Sequence, residues 1–65
     1  MTVKDLLKVA WFGDVIINYH NHEFRIVLDS KEALDGVLNT FTNEFLNAQV
    51  ENVGANEDML LVNVK

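Results

Sequence analysis

The sequence contains no cysteine and no proline. Without cysteine the chain has neither disulfide bonds nor a thiolate metal site, so packing or association must supply its stability. No apolar run approaches the roughly 18 residues that a membrane helix needs. Residues 1–5 lack the basic and apolar regions of a signal peptide. We therefore expect a soluble, cytoplasmic protein with no membrane partner.

Basic residues are missing from residues 32–64. Residues 1–31 carry four bases and four acids, whereas residues 32–64 carry six acids and no base. These six acids are Glu32, Asp35, Glu44, Glu51, Glu57 and Asp58. Because phosphate contacts need clustered Lys and Arg, direct binding to nucleic acid is not expected. The acidic surface either binds a basic protein or keeps a small protein soluble.

What the sequence has is enough apolar character for one small core. The chain has 65 residues, of which 49% are hydrophobic, and a formal net charge of −5. This composition argues against disorder, and the length leaves no room for a second core. We expect residues 1–65 to form a single domain.

Two helices are predicted from apolar spacing. Thr2 is an N-cap with Asp5 three residues later, and Gly13 can end the first helix in a left-handed conformation. The apolar side of this helix comprises Val3, Leu6, Leu7 and Ala10. Of Trp11 and Phe12, one is expected in the core while the other covers an edge or is exposed.

The second helix is predicted over residues 31–47, after a cap at Asp29-Ser30. Its apolar side comprises Leu34, Val37, Leu38, Phe41 and Phe45. Asp35-Gly36 favours a turn, so the helix is expected to kink or restart there if it breaks.

A first hairpin is predicted from residues 14–20 and 23–28, joined by Asn21-His22. The pairs on one face are Tyr19 with Phe24, Ile17 with Ile26, and Val15 with Leu28. The pairs on the other face are His20 with Glu23, Asn18 with Arg25, and Ile16 with Val27. This register sorts the large apolar residues onto one side.

A second hairpin is predicted from residues 48–53 and 59–64 around a five-residue loop at 54–58. The pairs on one face are Val50 with Val62 and Ala48 with Val64. The pairs on the other face are Glu51 with Leu61 and Val53 with Met59. The order is α-β-β-α-β-β, which predicts an α+β fold. Its four-stranded, mainly antiparallel sheet is built from two hairpins and has helices on one face.

These registers leave apolar residues on the sheet face that the helices do not cover. The residues are Ile16, Val27, Val53, Met59 and Leu61. Together they would form a patch of a few hundred Å², near the upper range for a monomer. Either this face binds a partner, with a symmetric homodimer as the commonest form, or one strand is placed wrongly. Pairing between the edge strands of two copies is a second form of such association.

Residues that carry chemistry are few. His20 and His22 resemble the start of a metal site, but the proposed turn separates them and no third ligand can be placed nearby. The simpler interpretation is a polar hairpin tip with His20 opposite Glu23. Ser30, the only serine, is better used as a helix cap, and the loop at 54–58 lacks the calcium-binding pattern. We expect no catalytic residues, no metal site and no cofactor, and therefore no enzyme.

Three segments resemble small acidic proteins encoded by phages and prophages of Gram-positive bacteria. They are residues 1–7 (MTVKDLL), 14–17 (DVII) and 59–64 (MLLVNV). The resemblance covers the two ends and the order of elements, and it includes no functional motif. It implies an accessory protein that acts by binding, a group that includes inhibitors of host defence with acidic surfaces.

Three functional hypotheses follow. The first is a non-enzymatic interaction protein that associates with itself through the open sheet face. The second is an acidic inhibitor, or nucleic-acid mimic, that binds a basic protein. The third is a small metal-binding protein that uses the turn at His20 and His22.

Overall fold

The computed structural model describes residues 1–9 and 13–65, which form helices and one sheet. The helices are α1 (Val3–Val9), α2 (Lys31–Thr40) and α3 (Asn43–Leu46). The strands are β1 (Gly13–Tyr19), β2 (His22–Leu28), β3 (Val50–Asn56) and β4 (Met59–Val64). The predicted α+β class and the arrangement of two hairpins around a helical segment are confirmed. The predictions for Ala10, Trp11 and Phe12 lie outside the described residues.

The two hairpins form one mixed sheet with the strand order β2-β1-β4-β3. β1 pairs with β2 and β3 pairs with β4 in antiparallel fashion, whereas the central pair, β1 and β4, is parallel. The helical segment carries the chain from β2 at one edge of the sheet to β3 at the other, and these two strands run in the same direction. The edges are therefore β2 and β3.

All three helices pack against the same face of this sheet. The buried core consists of Val3, Leu6, Leu7, Val15, Ile17, Ile26, Leu28, Leu34, Phe45, Leu46 and Val62. Among the described residues, no polar or charged side chain is buried. The core is therefore purely apolar, and the charged groups in this part of the chain all keep access to water.

The predicted cap of α1 is confirmed. The backbone N–H of Asp5 donates to Thr2 Oγ1 (3.1 Å), and the backbone N–H of Thr2 donates to Asp5 Oδ2 (3.3 Å). These reciprocal bonds satisfy amide groups that the first turn leaves without partners. The pKa of the Asp5 carboxyl lies below its ordinary value. The hydrogen bond from the Thr2 amide is the main cause, and hydrogen bonding with the Thr2 side chain is the second.

The N-terminal residues extend the sheet beside the start of β3. Val3 N–H donates to the carbonyl oxygen of Ala48 (3.0 Å), and Val50 N–H donates to that of Met1 (2.8 Å). Thr2 forms an antiparallel bridge with Gln49 between these bonds. The outer edge of β3 is therefore covered at its beginning.

The first hairpin forms with the predicted faces but a different register. Its turn is His20-Asn21 instead of Asn21-His22, and both turn residues have positive φ, 49° and 67°. Tyr19 consequently pairs with His22, Ile17 with Phe24, and Val15 with Ile26. The opposite face pairs Asn18 with Glu23, Ile16 with Arg25, and Asp14 with Val27. The predicted pairs are wrong because a two-residue turn with positive φ at both positions accepts His20-Asn21.

Better turn residues should stabilise this hairpin. The double variant His20→Asn/Asn21→Gly supplies the pair that tolerates positive φ best. We expect the free energy of unfolding to rise by about 0.5–1 kcal/mol in urea denaturation followed by circular dichroism. As a control, Asn39→Gly makes the same change inside α2 and should lower stability. A lower free energy of unfolding in the double variant would show that the positive φ angles at His20-Asn21 do not limit the stability of the hairpin.

The predicted second helix is two helices. α2 continues through Asp35-Gly36 and ends at Thr40, so the break does not lie at Gly36. Phe41 and Thr42 adopt extended conformations, and Thr42 Oγ1 then accepts a hydrogen bond from Phe45 N–H (3.2 Å) as the N-cap of α3. Because threonine is a good N-cap and a poor residue for a helix interior, the chain restarts at Thr42.

The second hairpin has a tighter turn than predicted. Asn56 pairs with Met59, so the turn is Glu57-Asp58 and the five-residue loop at 54–58 is wrong. β3 also contains a bulge between Val50 and Asn52. After the bulge, Val53 pairs with Val62, not with Met59. The extra residue in a bulge shifts every later residue of the strand relative to its partner.

Gly13, predicted to end the first helix, is the first residue of β1, and its φ of +85° lies in the left-handed region. The described part of α1 ends at Val9. A Cβ at this position would lie 3.2 Å from the carbonyl oxygen of Asp58. Both observations require glycine here, because a side chain would meet the backbone of the β3–β4 turn.

Candidate interaction surface of the sheet

The sheet face opposite the helices, here called the open face, carries three rows of side chains. Directly paired residues point to the same side of a sheet, so the register defines each row. The middle row is Arg25, Ile16, Leu61 and Gly54. The rows beside it are Val27, Asp14, Met59 and Asn56, and Glu23, Asn18, Asn63 and Asn52.

Four of the five predicted apolar residues lie together on the open face. Ile16 and Leu61 are direct partners on the central strands, and Met59 is next to them in the adjoining row. These three side chains are half-buried, whereas Val27 at the β2 edge is 50% exposed. Gly54 adds no side chain beside Leu61, so the apolar centre is open towards β3.

Val53 does not belong to this patch. It pairs with Val62, which is fully buried beneath the helices, so Val53 lies on the helix side of the sheet. Its 44% exposure reflects its position on the edge strand. The bulge near Glu51 is the reason, because one extra residue moves the following side chains to the other face.

Asparagines form a hydrogen-bonded row across the open face. Asn18 Nδ2 donates to Asn63 Oδ1 (3.0 Å), and Asn63 Nδ2 donates to Asn52 Oδ1 (2.7 Å). The row spans β1, β4 and β3 and borders the apolar centre on one side. Sequence reasoning missed it, although Asn18 and Asn63 each alternate with apolar neighbours at the spacing of an outward strand position.

The open face carries little net charge. The ionic side chains in its three paired rows are Asp14, Glu23 and Arg25, and Arg25 forms an ion pair with Asp14. At the end of the face, Glu51 and Lys65 bring one charge of each sign. Since the Arg25 side chain is 65% exposed, this pair contributes little to stability. It does offset charge at the β2 side of the patch, so the acidity of the protein lies on other surfaces.

A polar groove of about 510 Å³ lies at the end of the open face beside the first turn. The three residues of the asparagine row line it, together with His20, Asn21, Glu51, Val64 and Lys65. The groove offers amide, imidazole, carboxylate and ammonium groups, all suited to hydrogen bonding with a polar partner.

The six predicted acidic residues are all exposed, but they are divided among several elements. Glu32 and Asp35 lie on α2 and Glu44 on α3, on the helix side of the sheet. Glu51 lies at the start of β3, whereas Glu57 and Asp58 form the turn at its other end. A strand of this length spans about 20 Å. The sequence-predicted acidic surface is therefore several separate acidic sites.

The two histidines occupy different positions from those predicted. His20 lies in the turn, with its ring centroid 4.2 Å from that of Tyr19, and it is not opposite Glu23. His22 begins β2, and its ring centroid lies 6.4 Å from that of Phe24. Within residues 1–9 and 13–65, no three His, Cys, Asp or Glu side chains come together as a metal site.

Comparisons with protein-family models, with curated proteins and with solved structures find no match to this chain. None of the helices in the described segments is long and apolar enough to cross a membrane.

Proposed function

We propose that this chain is a non-enzymatic interaction module that binds a second copy of itself through the open face. The observation that carries the proposal is the apolar centre formed by Ile16, Met59 and Leu61 on the two central strands. These side chains are half-buried, so part of each still faces water. Covering them with a second sheet removes apolar area from water, which is the main driving force of association.

The area of the open face determines how strong the self-association is expected to be. Strands of seven residues, about 3.3 Å per residue and about 4.8 Å apart, give a face of roughly 450 Å². Two such faces bury roughly 900 Å² in total, below the range of about 1,200–2,000 Å² of stable complexes. We therefore expect weak association that depends strongly on protein concentration.

The charge distribution supports a second copy as the partner. Two copies of a protein with a formal net charge of −5 repel one another. In the paired rows of the open face, however, Arg25 offsets one of the two carboxylates, and Lys65 lies with Glu51 in the groove at its end, so repulsion is least where the apolar centre lies. A strongly basic partner would be better matched by other surfaces.

A lysine at the centre of the open face tests the proposal. In Leu61→Lys, two ammonium groups would meet near the centre of a face-to-face dimer, whereas in a monomer the lysine can reach water. By size-exclusion chromatography with light scattering, we expect the wild type to move from monomer mass towards dimer mass at high micromolar concentration. At each concentration, Leu61→Lys should have a lower mean mass than the wild type.

The matched control is Val9→Lys. Val9 is 70% exposed on α1, on the opposite side of the molecule, and it receives the same new charge. It should associate like the wild type. The proposal fails if the wild type is strictly monomeric at every concentration, or if Val9→Lys weakens association as much as Leu61→Lys does.

The acidic-inhibitor alternative has less support because its six carboxylates are divided among separate sites. Glu32 and Asp35 on α2 are its strongest element, since both are exposed on one helix. If this alternative holds, charge reversal at both positions weakens binding to a basic partner, and salt weakens it too. The phage-type accessory role and metal binding by His20 and His22 stay predictions.

A further inference from the structure

The outer edge of β3 is unpaired from Asn52 to Asn56 within the described parts of the chain. In a hairpin with a two-residue turn, the residues that flank the turn are hydrogen-bonded partners, here Asn56 and Met59. Bonded and non-bonded pairs then alternate along the strands. Val53 and Ala55 therefore direct their backbone N–H and C=O groups outwards, away from β4.

The free segment of this edge, which follows the bulge in β3, lacks two features that usually prevent strand pairing, namely charge and proline. Its residues are Asn52, Val53, Gly54, Ala55 and Asn56, with no charge and no proline. The edge of β2, in contrast, carries Glu23 and Arg25. An exposed strand edge without charges, proline or a cover is a template for another strand.

We infer that β3 pairs antiparallel with β3 of a second copy, about a two-fold axis at Gly54. In this register Val53 and Ala55 of one copy exchange hydrogen bonds with Ala55 and Val53 of the other, which uses every outward group. Asn52 lies opposite Asn56 of the second copy, so the asparagine row continues across the interface. The N-terminal residues at one end and the turn at the other limit the free edge to this five-residue segment.

Edge pairing extends the proposed function, and its effect on assembly rests on the proposed association through the open face. Edge pairing joins two four-stranded sheets into one of eight strands, which doubles the open face to roughly 900 Å². Two such dimers packed face to face would bury roughly 1,800 Å², within the range of stable complexes. The edge contact therefore makes the otherwise small face large enough for assembly.

A single cysteine tests the register, because the natural chain has none. Gly54 lies opposite itself in a non-bonded pair, where Cα atoms are about 4.5 Å apart, a separation that disulfides accept. A Cβ at Gly54 has open space around it. Under mild oxidation we expect Gly54→Cys to form a covalent dimer rapidly, as measured by non-reducing electrophoresis.

The controls use the neighbours of Gly54. Asn52→Cys alone and Asn56→Cys alone should link slowly, because each residue lies roughly 13 Å from its own copy across the axis. An equimolar mixture of the two should link rapidly through the 52–56 pair. Equal rates for all three single variants, or a mixture no faster than its components, would overturn the inference.

Two further measurements separate this inference from the proposed function. In Gly54→Cys/Leu61→Lys, linking should persist, because the lysine acts on the face and not on the edge. If Leu61→Lys abolishes dimer mass while Gly54→Cys fails to link, the face proposal stands and the edge inference fails.

Salt provides a further test of the register. Glu51 of one copy and Glu57 of the other approach each other at both ends of the pairing, so salt should speed linking by screening their repulsion. Slower linking in salt would contradict this register.

Discussion

Replacing Ile17 with alanine is expected to remove most of the protein's free energy of unfolding. Ile17 is fully buried on the central strand β1, between Phe24 of β2 and Val62 of β4. Truncating a buried isoleucine costs about 2–5 kcal/mol, because the removed methyl groups leave a cavity that the neighbours fill only in part. The core of a domain of this size rarely supplies more than about 3–5 kcal/mol of stability.

Ile16 provides the matched control, since it is the same residue type one position earlier in the same strand. It faces the open side, where it is only half-buried. In urea denaturation followed by circular dichroism, Ile16→Ala should remain folded and lose about 1 kcal/mol or less. It should also weaken self-association. Equal loss of stability in the two variants would mean that the open face is already covered.

The first hairpin explains why its faces were predictable from the sequence while its pairs were not. The observed register differs from the predicted one by a slip of two residues, as Ile17 pairs with Phe24 instead of Ile26. Side chains alternate with a period of two, so an even slip leaves every residue on its face. The apolar pattern therefore determines the face but does not distinguish between these two registers.

The second hairpin shows the opposite case. Val50 pairs with Val64 and lies on the predicted side, but the bulge that follows adds one residue to β3. An odd slip reverses the faces, which is why Val53 moved to the helix side while Met59 and Leu61 stayed on the open face. Nothing in the local composition marks Glu51 as the bulged residue.

The asparagine row and the strand order depend on contacts that are distant in sequence. Asn18 and Asn63 are 45 residues apart, and they meet only because β1 and β4 are parallel neighbours. The local patterns predicted each hairpin separately, without information on which strands adjoin. The candidate surface was therefore predictable in its apolar centre, and its polar border required the three-dimensional structure.

The second large effect is expected at Phe45, which joins the helical segment to the first hairpin. Its ring centroid lies 5.1 Å from Tyr19, 5.4 Å from Phe24 and 4.8 Å from Phe41. Tyr19 and Phe24 meet it edge-on, and Phe41 is stacked on it. Phe45 is only 4% exposed although α3 is a single turn of four residues.

Phe45→Ala should therefore destabilise the fold by about 3–5 kcal/mol, because it removes a buried ring and its partners in the aromatic cluster. Such a short helix has no stability of its own, so α3 should detach and expose the remaining rings even in those molecules that keep the rest of the fold. Urea denaturation and binding of a hydrophobic dye report these two effects. Glu44→Ala, at the exposed neighbour on α3, should change stability by less than about 0.5 kcal/mol. A small effect at Phe45 would show that the hairpin and the core hold together without the aromatic cluster.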